Sequence, residues 1–283
     1  MTSTHSWKAE VVVSNLANEL IRDLDTYIAR LKSSLEVTAA IESCDHPDAA
    51  TLLSTYLNEV HVGLQLVSPF LEKGMRVLEV GCGIGALTRF LIEHDIDAQG
   101  IEPGAAGFGF MPAFSKAILE LQPPLTDRQW LPIGAEKLNL DTHGHFDVIY
   151  STNVMEHITD LEGAFEGMTS VLAPNGVMLH LCPNYFVPYE PHFGIPLLPG
   201  RPKATEKLFP QTVKRLPGVW EELNFITAQH VKKLASKNKL SVSFEPGGLS
   251  QALRRFDKDE SFRQRQGWIA GAAQRTIMYS GLV

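Results

Sequence analysis

Cysteine is scarce in this chain of 283 residues: Cys44, Cys82 and Cys182 are an odd number, far apart and without paired metal-ligand spacing. That excludes a disulfide-stapled scaffold and a cysteine-built zinc module, so the three read as reduced packing residues. No apolar run approaches the roughly 18 residues that a membrane-crossing helix needs. Residues 1–10 hold no basic stretch leading into an apolar one, so the expectation is a cytoplasmic protein with no membrane partner. Low-complexity tracts and internal repeats are also missing, which sets aside disordered chains and repeat arrays. What is present is an ordinary globular composition, 44% hydrophobic and 20% charged, with enough chain to bury a full core. The net charge of -7 hides a division. Residues 1–200 carry 10 basic and 25 acidic side chains, residues 201–283 carry 15 and 7, and such asymmetry raises the question of a charged partner.

Apolar residues recur at Val12, Leu16, Leu20, Leu24, Ile28, Leu31 and Leu35, a three-and-four spacing that predicts an amphipathic helix over residues 7–42, broken once. A second helical pattern follows Pro47 and runs through Leu53, Leu57, Val60 and Leu64 to a stop at Pro69. This annex offers its stripe to the rest of the chain, to an active site or to a second copy, as in a homodimer. From Gly74 the pattern changes to short β-rich runs at residues 75–80, 98–101, 129–133, 146–151 and 176–182, with helical patterns between most of them. Two more candidate strands at 240–244 and 275–280 bring the total to seven. The helix expected over residues 155–172 ends in a Pro174-Asn175-Gly176 turn. The reading is an α/β fold, a doubly wound, mostly parallel Rossmann-like sheet of seven strands, with its ligand crevice at the strands' carboxyl ends. After Cys182 the alternation stops. Residues 183–217 interleave prolines with Tyr185, Phe186, Tyr189, Phe193 and Phe209, which predicts an ordered, aromatic-packed, lid-like insertion after the fifth strand. Residues 227–238 and 249–266 read as helices.

The most informative stretch is Glu79-Val80-Gly81-Cys82-Gly83-Ile84-Gly85, between the first strand and its helix. Glycines there let the chain turn sharply and approach a ligand, while the helix amino terminus presents unpaired N–H groups. Glu102 stands at the end of the next strand, where a carboxylate can take both ribose hydroxyls of a nucleoside cofactor. Dinucleotide folds space these glycines G-x-G-x-x-G; here the spacing is G-x-G-x-G, with an acid two positions before the first glycine.

At this point the sequence resembles the class I S-adenosylmethionine-dependent methyltransferases, whose first motif reads E/D-x-G-x-G-x-G; the resemblance runs from about residue 75 to 183. It implies that Gly81, Gly83 and Gly85 shape the loop beside the cofactor's methionine part, that Glu79 helps position it, and that Glu102 holds the ribose. Many relatives carry a G-D-A-E stretch after the third strand, with the Asp near the adenine amino group. This chain reads Ile133-Gly134-Ala135-Glu136, so the main-chain groups of Ala135 and Glu136 are the candidates there. Ser151 and Asn153, after the fourth strand, are the candidates beside the methionine end. On this basis residues 1–72 are the helical annex, 73–183 the S-adenosylmethionine-binding core, 184–226 the substrate loop, and 227–283 the part that completes the sheet.

Methyl transfer from a sulfonium is an in-line displacement, and a hydroxyl acceptor must lose a proton in it. Acid–base groups should lie on loops after the strands. His157 follows the fourth strand, and Tyr185, Glu190 and His192 follow the fifth. Imidazole titrates near neutrality and a carboxylate can orient it, so Glu190 with His192 is the favoured base pair. Each residue also has a plain structural reading, as a loop fastener or a helix cap. No metal ligand set is expected. The leading function is a methyltransferase acting on a small-molecule acceptor, O-directed rather than C- or N-directed. A nicotinamide-dependent oxidoreductase and a non-catalytic cofactor-binding module are the alternatives. The motif after the fourth strand has no Asn/Asp-Pro-Pro-Tyr/Phe sequence and the core is acidic, which disfavours nucleic acid as substrate. The basic final segment fits docking on the acidic body, or an anionic or carrier-bound acceptor.

Overall fold

The computed structural model describes residues 14–43, 49–104, 111–121, 123–198, 200–216 and 218–244. The chain forms two compact units, one of Met1–Met155 with Asp160–Cys182, the other of Glu156–Thr159 with Pro183–Val283. Annex and sheet therefore belong to one unit. No helix among the described residues is long and apolar enough to cross a membrane.

The first unit is built on five parallel strands, β1 (Arg76–Val80), β2 (Asp97–Ile101), β3 (Trp130–Leu131), β4 (Phe146–Thr152) and β5 (Leu172–Leu181), in the order β3-β2-β1-β4-β5. Strand β1 is central because Val77, Leu78 and Val80 are all buried, the continuous apolar character of a strand covered on both faces. The chain moves outward from β1 to β3 and then returns to β4 on the other side. That reversal opens a crevice at the carboxyl ends of β1 and β4.

Helices α1 (Asn15–Lys32), α2 (Leu35–Ser43) and α3 (Ala49–Val67) form the annex. The break between α1 and α2 falls at two serines. Ser33 caps the first helix, and the Ser34 hydroxyl accepts the Val37 N–H at 3.0 Å to start the second. Leu20, Leu24, Ile28 and Leu31 of α1 share one core with Leu53, Leu57 and Leu64 of α3 and Val77 of β1, each contributing about 1.5–3 kcal/mol on burial. These four residues of the stripe are thus taken up within the chain, whereas Leu35 is 83% exposed. Tyr27 donates its hydroxyl to the Ala86 carbonyl at 2.7 Å and stacks 5.0 Å from Phe90, tying α1 to the first turn of α4 (Ala86–Glu93). The remaining helices of this unit are α5 (Met111–Leu119), α6 (Leu140–His143) and α7 (Leu161–Val171).

In the second unit, β6 (Tyr189–Glu190) and β7 (Ile195–Pro196) make an antiparallel hairpin. It is followed by α8 (Pro202–Leu208), α9 (Pro210–Val213), α10 (Val219–Glu222) and α11 (Ala228–Lys237). Tyr185, Phe225, Trp220 and Phe193 form a chain of edge-on rings with centroids 5.2, 5.5 and 5.6 Å apart. Of the aromatics expected to pack there, Tyr185 and Phe193 do so, with Trp220 and Phe225 as their partners, while Phe186 is 83% exposed.

Several elements depart from expectation for local reasons. Strand β3 has two residues because Pro132 offers no N–H to continue the ladder. The expected 155–172 helix starts only at Leu161, where Asp160 accepts the Gly163 N–H at 2.9 Å; before it lies a 3-10 turn, Met155–His157. The Pro174-Asn175-Gly176 turn sits inside β5 as a register shift, the partner of β4 jumping from Leu172 to Val177. Residues 240–244 form no strand; Phe244 instead lies against Lys232 of α11, whose Nζ is 5.5 Å from its ring. Residues 1–13, the predicted 249–266 helix and the predicted 275–280 strand lie outside the described residues.

Candidate functional site

The loop from β1 to α4 is built as its glycines predict. Gly81, Gly83 and Gly85 all have positive φ, +68°, +54° and +74°, a region that costs other residues about 1–2 kcal/mol. Gly81 is also sterically reserved: a Cβ there would lie 2.4 Å from a methyl of Val154. The loop is tied down by the Ile101 carbonyl, which accepts N–H groups from Gly81 and Cys82 at 2.9 and 3.1 Å. The Ser115 hydroxyl donates to the Gly83 carbonyl at 3.2 Å.

Glu102 closes this loop from β2. Its two carboxylate oxygens accept the Gly83 N–H at 3.1 Å and the Gly104 N–H at 3.0 Å. Burial nevertheless raises its pKa, against the lowering effect of those two bonds. Glu79 points beneath the loop, where it accepts the Thr88 hydroxyl at 2.5 Å. The residue keeps partial exposure, but its carboxylate is packed beside Thr88, Tyr150 and Cys82. That burial pushes its pKa up to about 7. Gly134 has the carboxylate of Glu136 over it, so close that a Cβ at 134 would lie 2.2 Å from Oε2. The Glu136 side chain thus fills the space that a residue-134 side chain would occupy. Ala135 is buried, and its carbonyl accepts the Leu138 N–H at 3.2 Å and abuts Gly167 of α7, so that carbonyl faces away from any ligand.

At the end of β4 the two candidates part. Ser151 is wholly buried and its hydroxyl pairs with His180 Nδ1 at 2.8 Å; burial lowers the His180 pKa to about 4, so the imidazole is neutral. The Ser151 side chain therefore braces β4 against β5. Asn153 is exposed, holds φ +54°, and lies 3.4 Å from Glu59 of α3 through Nδ2. With Glu59 comes Tyr56, whose pKa is raised by burial and by the charges of Glu59 and Glu102. The sequence reading singled out neither as a site residue; Tyr56 and Glu59 stand three apart on one face of α3, and Glu59 is the only acidic residue of that helix. Two buried polar atoms lie beside the crevice: the Thr152 hydroxyl, which has no hydrogen-bond partner among the described residues, and Trp130 Nε1, which is directed at the Cys82 thiol. Left-handed glycines, flanking carboxylates and these donors together fit a nucleoside cofactor with a charged amino-acid tail.

All four acid–base candidates fall in the second unit, in contact with one another. Tyr185 donates its hydroxyl to Glu190 Oε1 at 3.1 Å, His192 Nδ1 lies 2.6 Å from the same oxygen, and the Phe193 N–H donates to Oε2 at 2.7 Å. Glu190 is wholly buried. His192 Nε2 lies 3.4 Å from His157 Nε2. Burial, then His192, lower the His157 pKa to about 4, with Glu190 opposing. A buried carboxylate so arranged fixes the Nδ1–H form of His192 and leaves Nε2 as the reactive atom.

Comparison with known proteins adds a lineage to this geometry. A family model described as "Methyltransferase domain" matches residues 54–242. An uncharacterized protein of Mycobacterium tuberculosis is 30% identical over 94% of this chain and 90% of its own length. The malonyl-[acyl-carrier protein] O-methyltransferase of Magnetococcus marinus is 32% identical, with 40% of each chain covered. The ubiquinone biosynthesis O-methyltransferase of Rhodopseudomonas palustris is 30% identical over 38% of this chain and 39% of its own. Among solved structures, the phosphoethanolamine N-methyltransferase 2 of Haemonchus contortus matches at TM-score 0.50 and 14% identity, covering 79% of this chain and 51% of that one; that likeness is one of fold.

Proposed function

The chain belongs to the S-adenosylmethionine-dependent methyltransferases, and from that premise we propose that it methylates an oxygen of a small-molecule acceptor. When bound, S-adenosylmethionine supplies a methyl group on a sulfonium, a carbon already attached to a good leaving group. Gly81, Gly83 and Gly85 admit the cofactor's methionine part close to the main chain, and Glu79 pairs with its amino group. Glu102 takes the ribose hydroxyls. Glu136 supplies at the adenine end the carboxylate that Gly134 does not, and Asn153 borders the methionine end. On the acceptor side His192 Nε2 takes the hydroxyl proton while Glu190 steadies the resulting imidazolium, and His157, neutral at physiological pH, orients the acceptor. Tyr185 and the Phe193 N–H hold Glu190.

The single observation that carries the O-directed reading is the Tyr185–Glu190–His192–His157 cluster, because amines and thiols need less help with a proton than a hydroxyl does. The two curated relatives with O-methyltransferase names support it. The acceptor is anionic or carrier-bound in this reading, drawn by the surplus of basic residues in 201–283. The remainder of the proposal is a cytoplasmic setting, with residues 184–226 as a lid or substrate wall. To test the chemistry, the protein is incubated with 13C-methyl cofactor and cell extract, and the labelled product is read by NMR. A methyl resonance in the O-methyl region is expected; N-, S- or C-methyl products would overturn the O-directed reading.

Glu79 adds a pH signature. Its pKa of about 7 in the free protein means that below neutrality it binds a proton, which the cofactor's ammonium must displace. Cofactor affinity should therefore rise with pH, by up to about tenfold per unit below 7, and level off above it. The Glu79→Gln variant should bind more weakly and lose the slope. The same shift makes this group's contribution to ligand-free stability largest below about 4.5 and lost as pH rises through about 7. Calorimetric titrations between pH 5.5 and 8 decide the matter, and a flat wild-type profile would remove Glu79 from the cofactor's tail.

A further inference from the structure

We propose that Glu156, His157 and His192 form a binding site for a divalent transition-metal ion, although the sequence led us to expect no metal. The inference deepens the acceptor-side reading of the same cluster and rests on it for the metal's use, but not for its binding. Each of the three residues offers one ligand atom, and these atoms all lie within 4.8 Å of one another. The two imidazoles meet edge to edge, with ring planes at 71° and Nε2 atoms 3.4 Å apart. Two nitrogens bound to one zinc at about 2.0–2.1 Å and a tetrahedral angle stand about 3.4 Å apart. The Glu156 carboxylate, on a wholly buried residue, lies within 4.8 Å of both nitrogens.

The surroundings are those of a metal-binding imidazole. His192 turns its other nitrogen to Glu190 at 2.6 Å, and Glu190 is itself held by Tyr185 and the Phe193 N–H, the carboxylate–histidine pairing that fixes a ligating nitrogen. The segment that carries Glu156 and His157 is pinned by Asn224, whose N–H donates to the Glu156 carbonyl and whose Nδ2 donates to the Ile158 carbonyl, both at 2.9 Å. Two imidazoles and a carboxylate select zinc and its borderline neighbours over magnesium and calcium, which take oxygen ligands. Three protein ligands leave a coordination position for an acceptor hydroxyl, whose pKa the ion would lower. With the ion in place His192 Nε2 is a ligand and no longer the base; the metal would acidify the bound hydroxyl, whose proton passes to bulk water before the methyl is transferred. The ordinary alternative is an imidazole–imidazole hydrogen bond.

The test uses the full chain, stripped with a chelator and titrated with zinc alone against a chromogenic competitor. One equivalent should bind, and His157→Ala and His192→Ala should each weaken it at least about 100-fold, with Glu190→Gln about 10–100-fold weaker. Cobalt substitution should give visible d–d bands in the wild type that His157→Ala abolishes. Retained cofactor affinity in the variants certifies their folding. Zinc binding that is not stoichiometric in the wild type, or that survives both histidine substitutions, overturns the site. Methyl transfer that persists without bound metal overturns the metal's use while the O-methyltransferase reading stands. Stoichiometric zinc with no transfer to any acceptor does the reverse.

Discussion

Replacing Gly81 by Ala should abolish useful cofactor binding. The new Cβ must sit at φ +68° and 2.4 and 2.6 Å from the two methyls of Val154. Left-handed backbone costs about 1–2 kcal/mol and overpacking typically about 1–3. Together these, about 2–5 kcal/mol, correspond to a fall in affinity of roughly 30-fold to several thousand-fold, at about 1.4 kcal/mol per tenfold. Calorimetry with S-adenosylmethionine measures it directly. Adding Val154→Ala should restore part of the loss, since it removes the two closest contacts and leaves the left-handed backbone and a 3.1 Å approach to the Cβ of residue 154. An unchanged dissociation constant in the single variant would mean that the loop is a turn and not the cofactor's seat.

The second large effect belongs to the acceptor side. His192→Ala and Glu190→Gln should each lower turnover by about 10²–10⁴-fold, with cofactor affinity unchanged. Whether His192 receives the proton or holds a metal, its Nε2 is the working atom and Glu190 the group that orients it. Tyr185→Phe should cost far less, since it removes one of three bonds to Glu190, a loss of about 1 kcal/mol. Steady-state rates on the product found in extract distinguish these variants. Turnover in His192→Ala within twofold of wild type would remove the cluster from the chemistry.

How much of this could be read from residues alone depended on how local each feature is. The glycine loop was legible because a strand, three alternating glycines and a helix succeed one another within a dozen residues. Glu190 and His192 were legible because two positions apart on a tight hairpin keep a carboxylate and an imidazole together. The Ser151 partner was not legible, because alternation along a strand says that Tyr150 and Ser151 point to opposite faces without saying what each meets; the structure pairs Ser151 with His180 on the neighbouring strand. Tyr56 and Glu59 were missed for a similar reason. Their helix meets the crevice only because Gly63 lets α3 come close to Leu87 and Thr152, a tertiary contact with no sequence signature. The 155–172 helix failed on a competing local signal, the Asp160 cap.

Catalysed methyl transfer is the most direct evidence of an enzyme. Purified protein, methyl-tritiated S-adenosylmethionine and cell extract are incubated together, and label is followed into the small-molecule fraction. Many methyl groups per protein molecule should appear in a single product, and none when Gly81→Ala protein is used. Cofactor that binds tightly while its label never leaves it, across all extract fractions, would contradict the enzyme and leave a binding module in its place.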